Sequence, residues 1–215
     1  MVIFELIHFL SVIREHFRDY KVPIMITDKS HAHLGGNALE GEPHTFTPTV
    51  WDWIIKRFAV KSVLDIGSGM GYAASYFRNL GTDVIAVEGL PFNVRHSVYP
   101  SLRFDLTERP LECFVDLVHC QEVVEHIEEV HIHNLLSSLS CGKFLLMTHA
   151  FPGQGGHHHV NEQPSEYWIQ RLAAKGLELL PEETKRVREF AKHDQAIFMQ
   201  ISGLVFINRS RFDTF

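Results

Sequence analysis

Between Asp65 and Gly71 the chain reads Asp65-Ile66-Gly67-Ser68-Gly69-Met70-Gly71, three glycines on alternate positions behind a carboxylate. Glycine lets a backbone turn tightly and approach a ligand closely. The apolar run Lys61 to Ile66 predicts a strand, which puts the turn at a strand's carboxyl end, where open α/β sheets bind ligands. A carboxylate there suits a ligand with a positive amino group and suits a pyrophosphate poorly. The dinucleotide fingerprint GxGxxG would need glycine where this chain has Tyr72. A second predicted strand, Asp83 to Glu88, ends in an acidic residue 17 positions after Gly71, followed by Gly89. A carboxylate at that end can accept hydrogen bonds from both hydroxyls of a ribose.

Groups able to move protons gather further along. A predicted fourth strand, Phe114 to Cys120, runs into Gln121, Glu122 and His126. A fifth, Lys143 to His149, delivers His149 and then a glycine-rich loop, 151–163, carrying His157, His158, His159, Asn161 and Glu162. Imidazoles titrate near neutral pH, so this loop can supply a general base. Side chains of adjacent residues diverge in an extended segment, so the three histidines make a poor tripod by themselves. His31 or His33 could join them, but neither ligand count nor geometry is visible, and no metal ligand is assigned.

The elements that must position these groups alternate. Residues 3–18 space Ile3, Leu6, Leu10, Ile13 and Phe17 as an amphipathic helix. Residues 22–48 form a Gly- and His-rich loop, including His33, Gly35 and Gly36, of the length that often serves function. Thr47 and Pro48 read as a start signal for a helix over Thr49 to Arg57. Helices are expected over 71–80, 91–98, 122–139, 165–175 and 182–192, and strands over 102–106, 177–180 and the apolar region Ala196 to Asn208. Such β-α repetition means a mostly parallel sheet covered on both faces. One domain, 1–215, is expected: N-terminal helices and a site loop to 58, a cofactor-binding core over 59–150, and an acceptor loop with C-terminal elements over 151–215.

The chain has 20 Lys plus Arg against 26 Asp plus Glu and a formal charge of −6, with no basic cluster to bind nucleic acid. Its three cysteines form no CxxC pair, which reads as a reducing compartment with buried thiols. No membrane span and no signal peptide are expected, and a cytoplasmic protein is the default.

The segment Val63 to Gly71 resembles motif I of class I S-adenosylmethionine (SAM) dependent methyltransferases. Val84 to Glu88 is similar to their second motif, and Asp116 to Ile127 is similar to their fourth-strand motif. The resemblance implies a Rossmann-like α/β fold: a mostly parallel seven-stranded sheet, the last strand antiparallel, helices on both faces. It implies SAM as cofactor, held by Asp65, Gly67, Ser68, Gly69, Gly71, Tyr72, Glu88, Gly89, Gln121, Glu122 and His126, with Asp105 near the adenine amine. His158 or His159 is the expected general base, followed by His149 and Glu122. The loop from Pro152 to Trp168, with Gly35-Gly36-Asn37, resembles a narrower group of bacterial and viral methyltransferases associated with glycan synthesis. That likeness implies a sugar or glycan acceptor, contacts to it from His33, Gly36, His157 and Asn161, and association with a glycosyltransferase. Three alternatives stay open: methylation of another small molecule, an NAD-dependent oxidoreductase, and a non-catalytic SAM-binding module.

Overall fold

The computed structural model describes residues 25–39 and 41–212. The helix expected over 3–18 lies outside them. A two-stranded antiparallel ribbon, β1 (Met25–Thr27) and β2 (Gly35–Ala38), comes first, in what the sequence suggests is an unstructured loop. Helix α1 (Pro48–Arg57) leads into β3 (Ser62–Ile66), α2 (Tyr72–Asn79), β4 (Asp83–Glu88), α3 (Pro91–His96) and β5 (Ser101–Arg103). Then follow β6 (Val115–Cys120), α4 (Ile132–Leu139), β7 (Gly142–Met147), α5 (Ser165–Ala173) and β8 (Leu177–Leu179). Helices α6 (Pro181–Phe190) and α7 (Ile197–Ser202) and strand β9 (Leu204–Asn208) complete the order.

The seven longer-range strands form one sheet in the order β5-β4-β3-β6-β7-β9-β8. Every pairing is parallel except those of β9, which runs antiparallel to both β7 and β8. This is the Rossmann-like arrangement the motifs imply. Central parallel strands are buried on both faces, so they read as continuous apolar runs. Their side chains alternate between two cores. Leu64, Val118, Leu145 and Phe206 face α4 and α5, with Trp168 and Leu135. Val63, Leu117, Leu146 and Val205 face α1, α2, α6 and α7, with Trp51, Phe77 and Val187. Strand β3 has β4 on one side and β6 on the other, so the chain order reverses there. A crevice must open at such a point beyond the carboxyl ends.

Three segments depart from the sequence expectation. The helix expected over 122–139 begins only at Ile132; before it the chain makes two short 3₁₀ turns, Val124–His126 and Glu129–His131. The acceptor loop takes the hydrogen bonds a helix would have used: Val160 and Asn161 amides donate to Glu125 O, and Asn161 Nδ2 donates to Ile127 O at 3.1 Å. The apolar region 196–208 is helix α7, a break at Gly203 and then β9, because a run buried all round carries no period to separate helix from strand. Strand β5 stops at Arg103, leaving Asp105 in the turn beyond it.

Candidate active site

The turn after β3 folds onto β4, with the amides of Gly67 and Ser68 both donating to Val87 O at 3.0 Å. Gly67 has φ 67°, and a Cβ there would run into Val123. The turn needs glycine for both reasons. Gly71 ends it as the residue before α2, and Gly89, after β4, lies beneath Leu34. The crevice here is a cleft of about 550 Å³.

Asp65, at 2% exposure, is fixed by a buried relay. Trp51 Nε1 donates to His119 Nε2 at 3.2 Å, which makes that nitrogen the acceptor and assigns the proton to Nδ1. Nδ1 then donates to Asp65 Oδ1 at 2.7 Å. Asp65 Oδ2 is buried with no hydrogen-bond partner, and Asp65 lines the cleft. A buried acceptor without a donor is costly unless a ligand supplies one. An ammonium group does so. The sequence reading missed His119; its signal was an imidazole inside the apolar strand Val115–Cys120, on the same face as Leu117.

Glu88 accepts from Gly69 N through Oε2 and from Leu90 N through Oε1, both at 2.8 Å. Each oxygen keeps a second lone pair for a ribose hydroxyl. Burial pushes its carboxyl above the usual value, against those two hydrogen bonds. Gln121 lines the cleft with both amide atoms buried and unpartnered. Ser68 and Tyr72 also line it. Asp105 lines it too but is fully engaged, by Thr107 through Oδ1 and by His33 Nε2 through Oδ2 at 2.8 Å. Burial opposes ionisation of Asp105, yet the Thr107 and His33 hydrogen bonds outweigh it and hold the carboxyl below its usual range.

At the other end, Glu162 organises the acceptor loop, accepting from Gly153 N at 2.7 Å, Gly155 N at 2.6 Å and His159 Nδ1 at 3.1 Å. His157 packs against Gly36, where any Cβ would meet its ring at about 3.0 Å, so the N-terminal ribbon and the acceptor loop touch across the cleft. His33, Gly36, His157, His159, Glu122 and His126 all line it. Glu122 adopts φ 54°, a left-handed conformation uncommon outside glycine. Its Oε1 accepts from Thr148 Oγ1 at 2.8 Å, and that same hydroxyl accepts from Glu122 N. Burial pushes the Glu122 carboxyl up to about 7.

Four expected residues stand off the cleft lining, the first being Gly71, which caps α2. His149 is 1% exposed, bonded to Ser165 Oγ at 2.9 Å and edge-on to Phe151, and it does not line the cleft. Burial drives its pKa down to about 4. His158 has φ 49° and also lies off the cleft. Asn161 is buried, bridging Ile127 O and Gln163, and so holds the loop. Among the described residues lining the cleft, six are acidic (Glu42, Asp65, Glu88, Asp105, Glu122 and Glu125) and none is Lys or Arg.

Residues 45–184 match the methyltransferase-domain family, a span that contains β3 to α5 and every carboxylate just named except Glu42. The chain belongs to that family. The chain is 26% identical over 165 residues to ubiquinone biosynthesis O-methyltransferases of Xanthomonas campestris pv. campestris, covering 69% of this chain and spanning 65% of the length of theirs. Its fold is shared by a TehB-like SAM-dependent methyltransferase from Corynebacterium glutamicum, with TM-score 0.56, 18% identity and coverage of 76% of this chain and 89% of that one. A SAM-dependent methyltransferase from Archaeoglobus fulgidus aligns with TM-score 0.53 and 16% identity over 78% of this chain and 94% of its own. SAM is the cofactor that goes with this family, and the residues present fit it: unpartnered Asp65 Oδ2 for the amino group, and Glu88 for the ribose.

Proposed function

We infer that the protein is a SAM-dependent O-methyltransferase whose acceptor is a hydroxyl of a sugar in a glycan or glycoconjugate. The observation that carries the reading is a cleft lined by six acidic side chains and no Lys or Arg, which favours a cationic methyl donor and disfavours a phosphorylated acceptor. When bound, SAM supplies a methyl group that leaves its sulfonium sulfur for the acceptor oxygen. The chain's part is to hold the partners in line and to take the hydroxyl proton.

Of the four catalytic candidates, Glu122 and His159 line the cleft, and His149 and His158 do not. We assign the base role to Glu122, whose carboxylate opens on the cleft at the end of β6 and is anchored by Thr148. Its strained backbone is the kind of outlier that collects at functional sites. Polar groups at the mouth, His33, His157 and Gln154, support a polyhydroxylated acceptor. A phenolic acceptor is the second reading; Phe46, Phe104 and Phe198 on the same walls and the name of the Xanthomonas relatives favour it.

The test is methyl-labelled SAM with simple sugars, deoxysugar glycosides, oligosaccharides and catechols. Label in a sugar supports the reading; label only in catechols removes the glycan acceptor and keeps the chemistry. Glu122→Gln should lower turnover by about 10²- to 10⁴-fold with SAM affinity retained. Full activity in that variant would exclude Glu122 as base.

A further inference from the structure

We propose that Glu125, His126 and His159 form a divalent-cation site at the acceptor end of the cleft. The proposal deepens the methyl-transfer reading and rests on it only for the site's purpose. Two of the residues come from the turn after β6, and the third comes from the acceptor loop. One carboxylate oxygen and one ring nitrogen from each imidazole lie within 4.8 Å of one another, and all three residues line the cleft. Donors about 2.1 Å from one cation stand about 3–4 Å apart, so a small inward adjustment brings them to a common ion.

Glu125 is 0% exposed, and neither carboxylate oxygen meets a cationic donor or a backbone donor of another residue, its polar neighbour being the Glu122 carboxyl. His126 Nδ1 is buried and unpartnered. Burying a carboxylate with nothing to neutralise it is strongly unfavourable, and the cleft lining offers no Lys or Arg to do so. The His126 ring meets the His159 ring edge-on, with centroids 5.1 Å apart.

The surroundings are those of a ligand set. His159 Nδ1 is bonded to Glu162 Oε1 at 3.1 Å, which leaves Nε2 as the free lone pair. Metal-binding imidazoles almost always have the other nitrogen tied to a carboxylate or carbonyl in this manner. Two imidazoles, borderline donors, joined to one hard carboxylate suit Mn²⁺, Fe²⁺, Co²⁺ or Zn²⁺ above Ca²⁺ or Mg²⁺. Three protein ligands leave coordination positions open toward the cleft. A cation there supplies a Lewis acid beside the Glu122 carboxylate, suited to an acceptor with two neighbouring hydroxyls. Only His159 of the three consecutive histidines takes part, which is why their spacing alone did not show the site.

The full chain, stripped with a chelator and titrated with Co²⁺ alone, tests this through the visible absorption of the bound ion. The expected result is one Co²⁺ per chain. His159→Ala and Glu125→Gln should each weaken it at least tenfold, Glu162→Gln should do so about tenfold, and His133→Ala, exposed on α4, should leave it unchanged. Circular dichroism identifies any variant that fails to fold, and His159→Ala, on a loop, is the deciding one. Wild-type protein that binds no Co²⁺, or His159→Ala that binds it unchanged, overturns the proposal. SAM affinity measured on the same samples separates the two readings. SAM bound without Co²⁺ removes the cation site alone, and Co²⁺ bound without SAM removes the methyl-transfer reading and leaves the cation site standing.

Discussion

At the scale of single residues, the site depends on how few ways its carboxylates can be satisfied. Asp65 has one oxygen held by His119 and one buried without a partner, so in the proposed reading the imidazole sets which oxygen meets the ligand's amino group. His119→Leu should therefore weaken SAM binding by about tenfold, about 1.4 kcal/mol, and destabilise the fold by about 1–3 kcal/mol through the stranded Trp51 and Asp65. Titration of SAM into the variant checks this, and unchanged affinity would remove the relay from the site. His149 gives a second residue-scale expectation. Its folded pKa of about 4 lies below the ordinary imidazole value, mainly through burial and with the Arg188 charge adding to it. The unfolded chain therefore binds the extra proton first, so the stability from neutral His149 is complete above about pH 6.5 and drains away as pH falls toward 4. Melting temperature between pH 7 and 4 should drop less steeply in His149→Gln than in the parent. The places of Asp65, Gly67 and Glu88 on the cleft were legible because each lies at or just beyond the carboxyl end of an apolar strand. His119, Glu125 and the difference between His158 and His159 were not, because each depends on which way a side chain meets a neighbour far away in sequence.

At the scale of elements, the informative one is the turn between β6 and α4, where the sequence period suggested helix. Periodicity reports which face is apolar, and Val124 and Ile127 are indeed buried; it does not report where backbone hydrogen bonds go. Here they go to the acceptor loop, through Val160 and Asn161. Asn161→Ala should loosen that seam, cost about 1 kcal/mol in stability and raise the KM for the acceptor while the affinity for SAM stays put. A rise confined to the SAM constant would contradict this assignment. The central strands, by contrast, needed no such help. Val63, Leu64, Ile66, Leu117, Val118 and Cys120 are apolar because both faces of their sheet are covered, and the bounds of β3, β4 and β6 came within a residue or two of the sequence reading. Strand β5 was shorter than expected because an edge strand carries a weaker apolar signal, two of its three residues being exposed.

At the scale of the whole molecule, the architecture and cofactor end of the cleft followed from the order of the motifs. The acceptor end depends on the convergence of three distant segments, 33–46, 121–126 and 153–159, whose contacts no local pattern records. No helix among the described residues is long and apolar enough to cross a membrane. The absence of any Lys or Arg from the lining of the cleft reaches beyond recognition into turnover. SAM arrives carrying a sulfonium charge, and S-adenosylhomocysteine departs without it. A lining with acidic side chains and no Lys or Arg holds the first more firmly than the second, so methyl transfer removes part of the attraction that retained the ligand. Weak product inhibition is the expected result. The SAM to S-adenosylhomocysteine affinity ratio should shrink as added salt screens the field, most plainly once the Debye length falls below about 8 Å.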